Sequence, residues 1–160
     1  MEEYAAEIIL EEYMEKQIKL TLDDTVLDEY EKYYFVQHPR ARKKPIVKPR
    51  HPSINEWFIL QRPQMNALKQ KWKDFVVWWM DHEHLSNQLF PAVSMRFITY
   101  MPTRRRVDPD NTVPKFILDG MVESKVILDD DSLHLKELIL CAGYDKEHPR
   151  TEIIITVLEE

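Results

Sequence analysis

The spacing of apolar residues changes along this chain, and this change limits the folds that it can adopt. Residues 64–79 carry an apolar stripe at helical spacing, made of Met65, Leu68, Trp72, Phe75 and Trp79. Between Val93 and Met101, apolar residues instead alternate with others, as in a strand with one buried face. A chain with both periods predicts an α+β domain, and we expect its tryptophans in the core rather than stacked on nucleobases.

The first 34 residues predict helix, because strong helix formers surround apolar residues near helical spacing. An interruption is expected at 20–25, where Asp24 or Thr25 would cap a second helix. This part of the chain is acidic. It is therefore predicted to form an acidic helical extension over residues 1–35, followed by the main domain over 36–160.

The second half of the chain predicts one helix and two further strands. Asn111 is a good N-cap for a helix that would run to about residue 123. Strands are expected at about 133–142 and 150–158, joined by a hairpin loop over 142–149. The full prediction is an α+β fold with helices packed on a mostly antiparallel sheet.

Four prolines between Pro39 and Pro52 oppose regular structure in the segment that joins the two parts of the chain. This segment is strongly basic, and its cationic residues are Arg40, Arg42, Lys43, Lys44, Lys48 and Arg50. Residues 37–52 are therefore predicted to form an extended basic arm.

Charge is segregated along the chain, although the net charge is only −6. Residues 1–35 hold 11 acidic and 3 basic residues, 36–107 hold 4 and 14, and 108–160 hold 13 and 5. Blocks of one sign create local fields that matter more to a polyanion than the total charge does. The alternative, that these charges mix on the folded surface, remains open.

Composition excludes several classes of protein. Cys141 is the only cysteine, which excludes an internal disulfide and a thiolate zinc cluster built from one chain. With two glycines, the chain has no Gly-rich phosphate loop. No apolar run is long enough to span a bilayer, and the acidic N-terminus is unlike a signal or transit peptide. We expect a cytoplasmic protein without a membrane partner.

A run of arginines stands directly before a group of carboxylates. Arg104, Arg105 and Arg106 precede Asp108 and Asp110, and the residues that follow them are Lys115, Asp119, Asp129, Asp130 and Asp131. Basic residues bind a polyanion, while carboxylates hold hard cations that polarise a phosphodiester and activate water. A strand–helix–strand passage would return the later aspartates to the first pair. The pattern predicts a metal-dependent nuclease, with ordinary surface acidity and turn chemistry as the alternative.

The same residues resemble a known family. The segment from Met101 to Asn111 (MPTRRRVDPDN), followed by Lys115, Asp119 and the pair Asp129–Asp130, is similar to the RusA-type Holliday junction resolvases. The resemblance covers about residues 93–158. It implies a RusA-like fold and a homodimeric, Mg²⁺-dependent endonuclease of DNA recombination and repair, with Mn²⁺ as a second usable ion. The implied substrate is branched DNA, specifically a four-way junction.

By position, Asp108, Asp110 and Asp130 match the metal-binding carboxylates of that family, and Lys115 matches its essential lysine. Asp129 or Asp131 are alternatives to Asp130. Three residues separate Asn111 from Lys115, where the family usually has two. The acidic N-terminal helices have no counterpart in the family, and one of their possible roles is to bind a protein partner. The alternative functions are a non-catalytic DNA-binding or regulatory protein and a nuclease for other branched DNA.

Overall fold

The computed structural model describes residues 16–158, in which helices pack on one face of a four-stranded mixed sheet. In chain order the elements are β1 (Lys16–Leu22), α1 (Asp24–Gln37), α2 (Ile54–Trp57), α3 (Arg62–His82), β2 (Val93–Met101), a 3-10 helix (Pro109–Thr112), α4 (Lys115–Glu123), β3 (Leu135–Tyr144) and β4 (Arg150–Val157). The α+β class is confirmed. Within residues 16–158, every helix is too short or too polar to cross a membrane.

The strand order in the sheet is β1-β4-β2-β3. β4 pairs antiparallel with both β1 and β2, whereas β3 pairs parallel with β2, from Val93 opposite Leu135 to Met101 opposite Tyr144. The predicted hairpin between the last two strands is therefore wrong, because β2 lies between them. The loop after β3 crosses the end of β2, where the Asp145 N–H donates to the Met101 carbonyl oxygen at 2.9 Å. Two strand spacings, about 10 Å, are easily spanned by such a loop.

The expectation of helix is wrong for residues 16–19, and residues 20–22, where an interruption was expected, continue the same strand, β1. Ile18, Leu20 and Leu22 alternate with polar residues, and Leu20 and Leu22 are buried against the helices. This two-residue period with one buried face favours a strand, which completes the sheet beside β4. Residues 1–15 lie outside the described part of the chain, so the helix expected there stays a prediction.

The second predicted helix is present as α1, and it belongs to the same core as the rest of the fold. Asp23, one residue before the expected caps, is its N-cap, and its Oδ1 accepts the Val26 N–H at 3.0 Å. Leu27 and Tyr30 are buried, and the Tyr30 ring packs edge-on against Phe75 of α3 at 5.0 Å. The hydrophobic core is therefore continuous across the boundary predicted at residue 35.

The apolar stripe on α3 is confirmed as the centre of the core. Trp72, Phe75 and Trp79 are buried, and the Phe75 and Trp79 rings stack at 5.6 Å. The N-terminal members of the stripe, Met65 and Leu68, are only half-buried. Aromatic rings bury large apolar areas, so this face of α3 contributes strongly to the stability of the fold.

Helix α4 begins later than predicted. Residues Pro109–Thr112 form a 3-10 helix, and Pro114, not Asn111, occupies the N-cap position of α4. Proline has no side chain that can accept a hydrogen bond, so the first amides of α4 need another acceptor. His51 supplies it: its Nε2 accepts the Phe116 N–H at 2.9 Å from a position 65 residues away in sequence.

Burial keeps His51 in its neutral form. Only 8% of the residue is exposed, and this desolvation lowers its pKa from the usual 6.5 to about 4. A protonated ring would have no lone pair on Nε2 with which to accept the Phe116 N–H. The start of α4 therefore depends on a histidine that stays uncharged at neutral pH.

Helices α3 and α4 approach closely at Gly120. A Cβ atom placed on Gly120 would lie 2.5 Å from Val76 Cβ and 2.6 Å from its Cγ1, well inside van der Waals contact. Both residues are in helices and Val76 is fully buried, so neither can move away without disturbing the core. The absence of a side chain at Gly120 sets the separation of the two helices.

We expect acid to destabilise the protein through His51. In the unfolded chain the ring binds a proton below pH 6.5, while in the folded chain it resists protonation until about pH 4. The free energy of unfolding should therefore fall as pH decreases through that window. The contribution of His51 to this fall should be about 2 kcal/mol between pH 7 and pH 5, and it should vanish above about pH 7.5. Urea denaturation at both pH values measures this difference.

The His51→Gln variant should lose that part of the pH dependence, because glutamine does not titrate. The matched control is His148→Gln, since His148 is exposed in the loop before β4. Parallel pH profiles for wild type and His51→Gln would show that His51 titrates normally in the folded protein.

We expect Gly120→Ala to lower the free energy of unfolding by about 1–3 kcal/mol, because it overpacks the contact between α3 and α4. Val76→Ala should also destabilise the protein, by leaving a cavity. The double variant should cost less than the sum of the two single variants, because the smaller side chain makes room for the new methyl group. Strict additivity in denaturation experiments would contradict the close contact.

Candidate active site

Asp108 and Asp110 lie in the chain that leaves the sheet after β2. The Asp108 carbonyl oxygen accepts the Asn111 N–H at 3.0 Å, which closes the 3-10 helix. Both side chains are exposed, and the nearest cation to Asp108 is Arg106, with Nε 3.8 Å from Oδ1. The 3-10 helix packs against β3 and α2, so the two carboxylates are presented from an anchored segment.

Lys115 and Asp119 lie on one side of α4. Lys115 is the first residue of the helix and is exposed, and Asp119 follows one turn later. Lys69 Nζ of α3 is 3.5 Å from Asp119 Oδ2. That oxygen is buried and has no hydrogen-bond donor, so the contact with Lys69 is electrostatic only. Asp119 therefore keeps a lone-pair site that the described side chains do not fill.

The three consecutive aspartates before β3 have different roles. Asp129 Oδ1 accepts the Asp130 N–H at 2.8 Å. Asp131 Oδ1 accepts backbone N–H groups of Leu133 and His134 and lies 2.6 Å from His134 Nδ1. The hydrogen bond from His134 is the main reason that the pKa of Asp131 is lowered. Asp131 thus holds the turn that leads into β3.

Asp130 is the member of this trio whose carboxylate does not accept the backbone N–H of a following residue. Its pKa is raised, first by partial burial and then by the carboxylates of Asp129 and Asp119. Asp119 is therefore within electrostatic range of Asp130, although eleven positions separate them in sequence. Asp119 in the middle of α4 and the turn before β3 thus bring carboxylates into one region, where Lys69 offsets part of the negative charge.

The two groups of aspartates start from opposite ends of the sheet. Because β2 and β3 are parallel, the end of β2 and the start of β3 are separated by the length of the strand, roughly 26 Å for eight steps of about 3.3 Å. The whole connection over residues 102–134, which includes the 3-10 helix and α4, crosses this span. Among residues 16–158, no three carboxylate, histidine or cysteine side chains are close enough to share a metal ion. The structure thus brings Asp119 toward Asp130 but does not assemble Asp108, Asp110 and Asp130 as one set of ligands.

The arginine run and the basic arm meet beside the 3-10 helix. Arg104 lies over the Tyr144 ring, with its guanidinium carbon 4.8 Å from the centroid, and Arg105 is exposed. Arg106 and Arg50 line the same small cleft of about 190 Å³, together with Asn111. Cations from two distant segments therefore flank the chain that carries Asp108 and Asp110.

The basic arm lacks regular secondary structure, as predicted, but it is fixed to the domain. Ile46 is buried, and the Pro49 carbonyl oxygen accepts the Thr151 hydroxyl at 2.8 Å. Its exposed cations are Arg40, Arg42, Lys43, Lys44 and Lys48, of which Lys44 pairs with Glu31 at 3.4 Å. Arg50 is half-buried, and its Nη1 lies 3.8 Å from the Met101 sulfur.

Sequence reasoning missed His51 and Lys69, which position α4 and Asp119. No local signal marks His51, because its partner lies far along the chain. Lys69 and Lys73, spaced four residues apart on α3, face Asp119 and Glu123, spaced four apart on α4, with the second pair at 3.2 Å. Opposite charges at one-turn spacing on two helices are the one sequence pattern that could have suggested the ion pairs between α3 and α4.

The residues present suit a hard divalent cation. The candidate ligands are all carboxylate oxygens, which Mg²⁺ prefers, and Asp119 has a buried oxygen without a hydrogen-bond donor. The set includes neither a cysteine nor a histidine, so it does not resemble a structural zinc site.

In comparisons with known proteins, no protein-family model matches this chain, and no curated protein matches it.

Proposed function

We propose that this chain is a RusA-type, Mg²⁺-dependent endonuclease that resolves four-way DNA junctions. The observation that carries this proposal is the arrangement along α4. The helix begins at Lys115, separated by three residues from the Asp108–Asn111 segment, and Asp119 on its second turn lies in electrostatic range of Asp130. This short helix stands between the segment that carries Asp108 and Asp110 and the turn that carries Asp130.

In this proposal Asp108, Asp110 and Asp130 would hold one or two Mg²⁺ ions. Because the described structure does not bring these three carboxylates within reach of one ion, the turn that carries Asp130 would have to move toward the 3-10 helix when metal binds. When bound, the metal supplies a Lewis acid and an activated water for phosphodiester hydrolysis. Lys115, exposed at the start of α4, offsets negative charge on the attacked phosphate. Asp131 is less suited to metal binding than Asp130, because its Oδ1 already accepts three hydrogen bonds in the turn before β3.

The cationic residues would bind the phosphate backbones of the DNA arms. The arginines at 104–106 stand beside the 3-10 helix, and Arg50 connects them to the basic arm through a shared cleft. Contacts with phosphates provide affinity without reading sequence, and they release counterions. Binding should therefore be steeply dependent on salt and largely insensitive to sequence.

A four-way junction has approximate twofold symmetry, and two strands of like polarity must be cut. A homodimer would present one active site to each of these strands, so we include dimerisation in the proposal. Each protomer would then cut one strand, and the two nicks would lie symmetrically about the branch point.

The Asp110→Asn variant should lose cleavage of a synthetic four-way junction in Mg²⁺ while keeping junction binding, because it removes a metal ligand but no cation. Gel analysis of end-labelled strands would measure cutting, and a mobility shift in EDTA would measure binding. The matched control is Asp81→Asn, since Asp81 is exposed near the end of α3. We expect it to cut as wild type does.

Paired symmetric nicks on the junction, absent from a linear duplex of the same sequence, would support resolution. Tight junction binding by the wild type without cutting in Mg²⁺ or Mn²⁺ would instead favour a non-catalytic DNA-binding protein. Equal cutting of flaps and junctions would favour a nuclease for other branched DNA.

The Arg42→Gln/Lys43→Gln variant should reduce the salt dependence of DNA binding. If both side chains bind phosphates, the slope of log K against log[salt] should become shallower by about 2, because each phosphate that is no longer neutralised reduces it by about 0.9. The control is Lys136→Gln/Lys146→Gln, which removes the same charge from β3 and the loop after it. The slopes would be measured by fluorescence anisotropy. If Arg42→Gln/Lys43→Gln has the same slope as wild type, the basic arm does not contact the DNA backbone.

A further inference from the structure

The turn between α2 and α3 exposes two large apolar side chains in succession. Phe58 is 75% exposed and Ile59 is 81% exposed, and we call this pair the apolar tip. Single exposed hydrophobic residues are common on protein surfaces. Two adjacent ones at a turn, with almost their whole surface in water, require a more specific explanation.

The backbone that carries the apolar tip is held in place by hydrogen bonds and by side-chain packing. Ser53 caps α2 by accepting the Glu56 N–H at its side chain, 3.3 Å away, and the Phe58 N–H donates to the Ile54 carbonyl oxygen at 2.9 Å. Trp57, directly before the tip, packs its ring against Phe116 of α4 at 5.5 Å. The tip therefore has a fixed direction relative to the helix that begins with Lys115.

The surroundings of the tip are suited to nucleic acid. Asn55 and Glu56, on the same short helix, line the cleft that also contains Arg50 and Arg106. Arg62, the first residue of α3, follows the tip and is exposed. Apolar side chains flanked by arginines can insert between bases while the cations hold the neighbouring phosphates.

A protein partner fits the tip less well. Two such side chains would bury at most about 400 Å², which is half of the roughly 800 Å² per partner that a stable interface needs. Trp57 and Leu60 adjoin the tip directly and are half-buried, and polar or charged residues follow on both sides, from Asn55 and Glu56 to Gln61 and Arg62, which limits the patch along the sequence. The area is instead close to that of one or two nucleobases.

We infer that the apolar tip is a wedge that inserts at the branch point of the DNA junction and stacks on bases exposed there. This inference rests on the proposed function and adds to it the origin of branch selectivity. Arginine contacts with phosphates cannot distinguish a junction from a duplex, whereas insertion is easiest where base stacking is already interrupted. The tip would thus recognise the branch while α4 positions the reactive residues.

The test compares wild type with Phe58→Ser/Ile59→Ser in EDTA, so that no strand is cut. Permanganate oxidises unstacked thymines, and thymines placed at the branch point should become more reactive when the wild type binds. The double variant should abolish this increase and reduce the preference for junction over duplex on the order of tenfold, as expected for the loss of base stacking. Duplex affinity, which depends on the cations, should be unchanged.

Two further variants make the result specific. Val36→Ser removes an apolar side chain that is 73% exposed at the end of α1, and it should behave as wild type. Phe58→Tyr keeps an aromatic ring and should keep the reactivity of the thymines. Equal melting temperatures for all variants would show that the substitutions leave the fold intact.

Retention of thymine reactivity and junction preference in the double variant would overturn the wedge, as would equal loss of duplex and junction binding. Loss of a dimer in size-exclusion chromatography, caused by the double variant alone, would assign the tip to self-association and also overturn it. If the wild type cuts junctions and the double variant cuts and selects them equally well, only the wedge fails. If the wild type neither binds nor cuts junctions selectively, the proposed function and the wedge fail together.

Discussion

The parallel pairing of β2 with β3 is the constraint on which the rest of the structure depends. Parallel neighbours cannot be joined by a tight turn, so the chain must return from the end of β2 to the start of β3 by a crossover. That crossover contains the arginine run, the 3-10 helix, α4 and the three aspartates before β3. Apart from Met101 at the end of β2, every residue that resembles the resolvase motif therefore lies on one connection, outside the regular strands. Loops and helix ends can bind a ligand there while the sheet holds them in place.

The position of α4 within that connection is fixed by three different kinds of contact. Gly120 allows close packing on Val76, the lysines of α3 pair with Asp119 and Glu123, and His51 accepts an amide at the start of the helix. The first contact sets the separation of α3 and α4. The ion pairs favour one alignment of the two helices, and the histidine bond replaces the side-chain cap that Pro114 lacks. Because Lys115 and Asp119 are part of α4, these contacts also fix the positions of both residues.

The surface around the start of α4 combines cations, carboxylates and exposed apolar groups. Arg50 and Arg106 share a cleft, and the apolar tip is held by Trp57 against the first turn of α4. The negative charge around Asp119 and Asp130 lies further along the connection. A polyanion bound by the arginines would be directed toward carboxylates that need a divalent cation to accept it. This separation of cations from carboxylates is consistent with a metal-dependent nuclease. In such an enzyme, protein cations bind the nucleic-acid backbone and metal ions bind the phosphate that reacts.

The amino-acid sequence by itself determined the α+β class, the apolar stripe of α3, the strand at 93–101 and the irregular basic arm, because each depends on local periodicity or proline placement. It did not determine that residues 16–22 form an edge strand, since Ile18 fits helical spacing as well as strand alternation. Nor did it determine that β2 separates β3 from β4, because a loop of five residues suits a hairpin as well as a passage over one strand. His51 at the start of α4 and Asp119 near Asp130 were likewise decided only by the tertiary structure, because these contacts join residues distant in sequence, and packing, not local preference, chooses such partners.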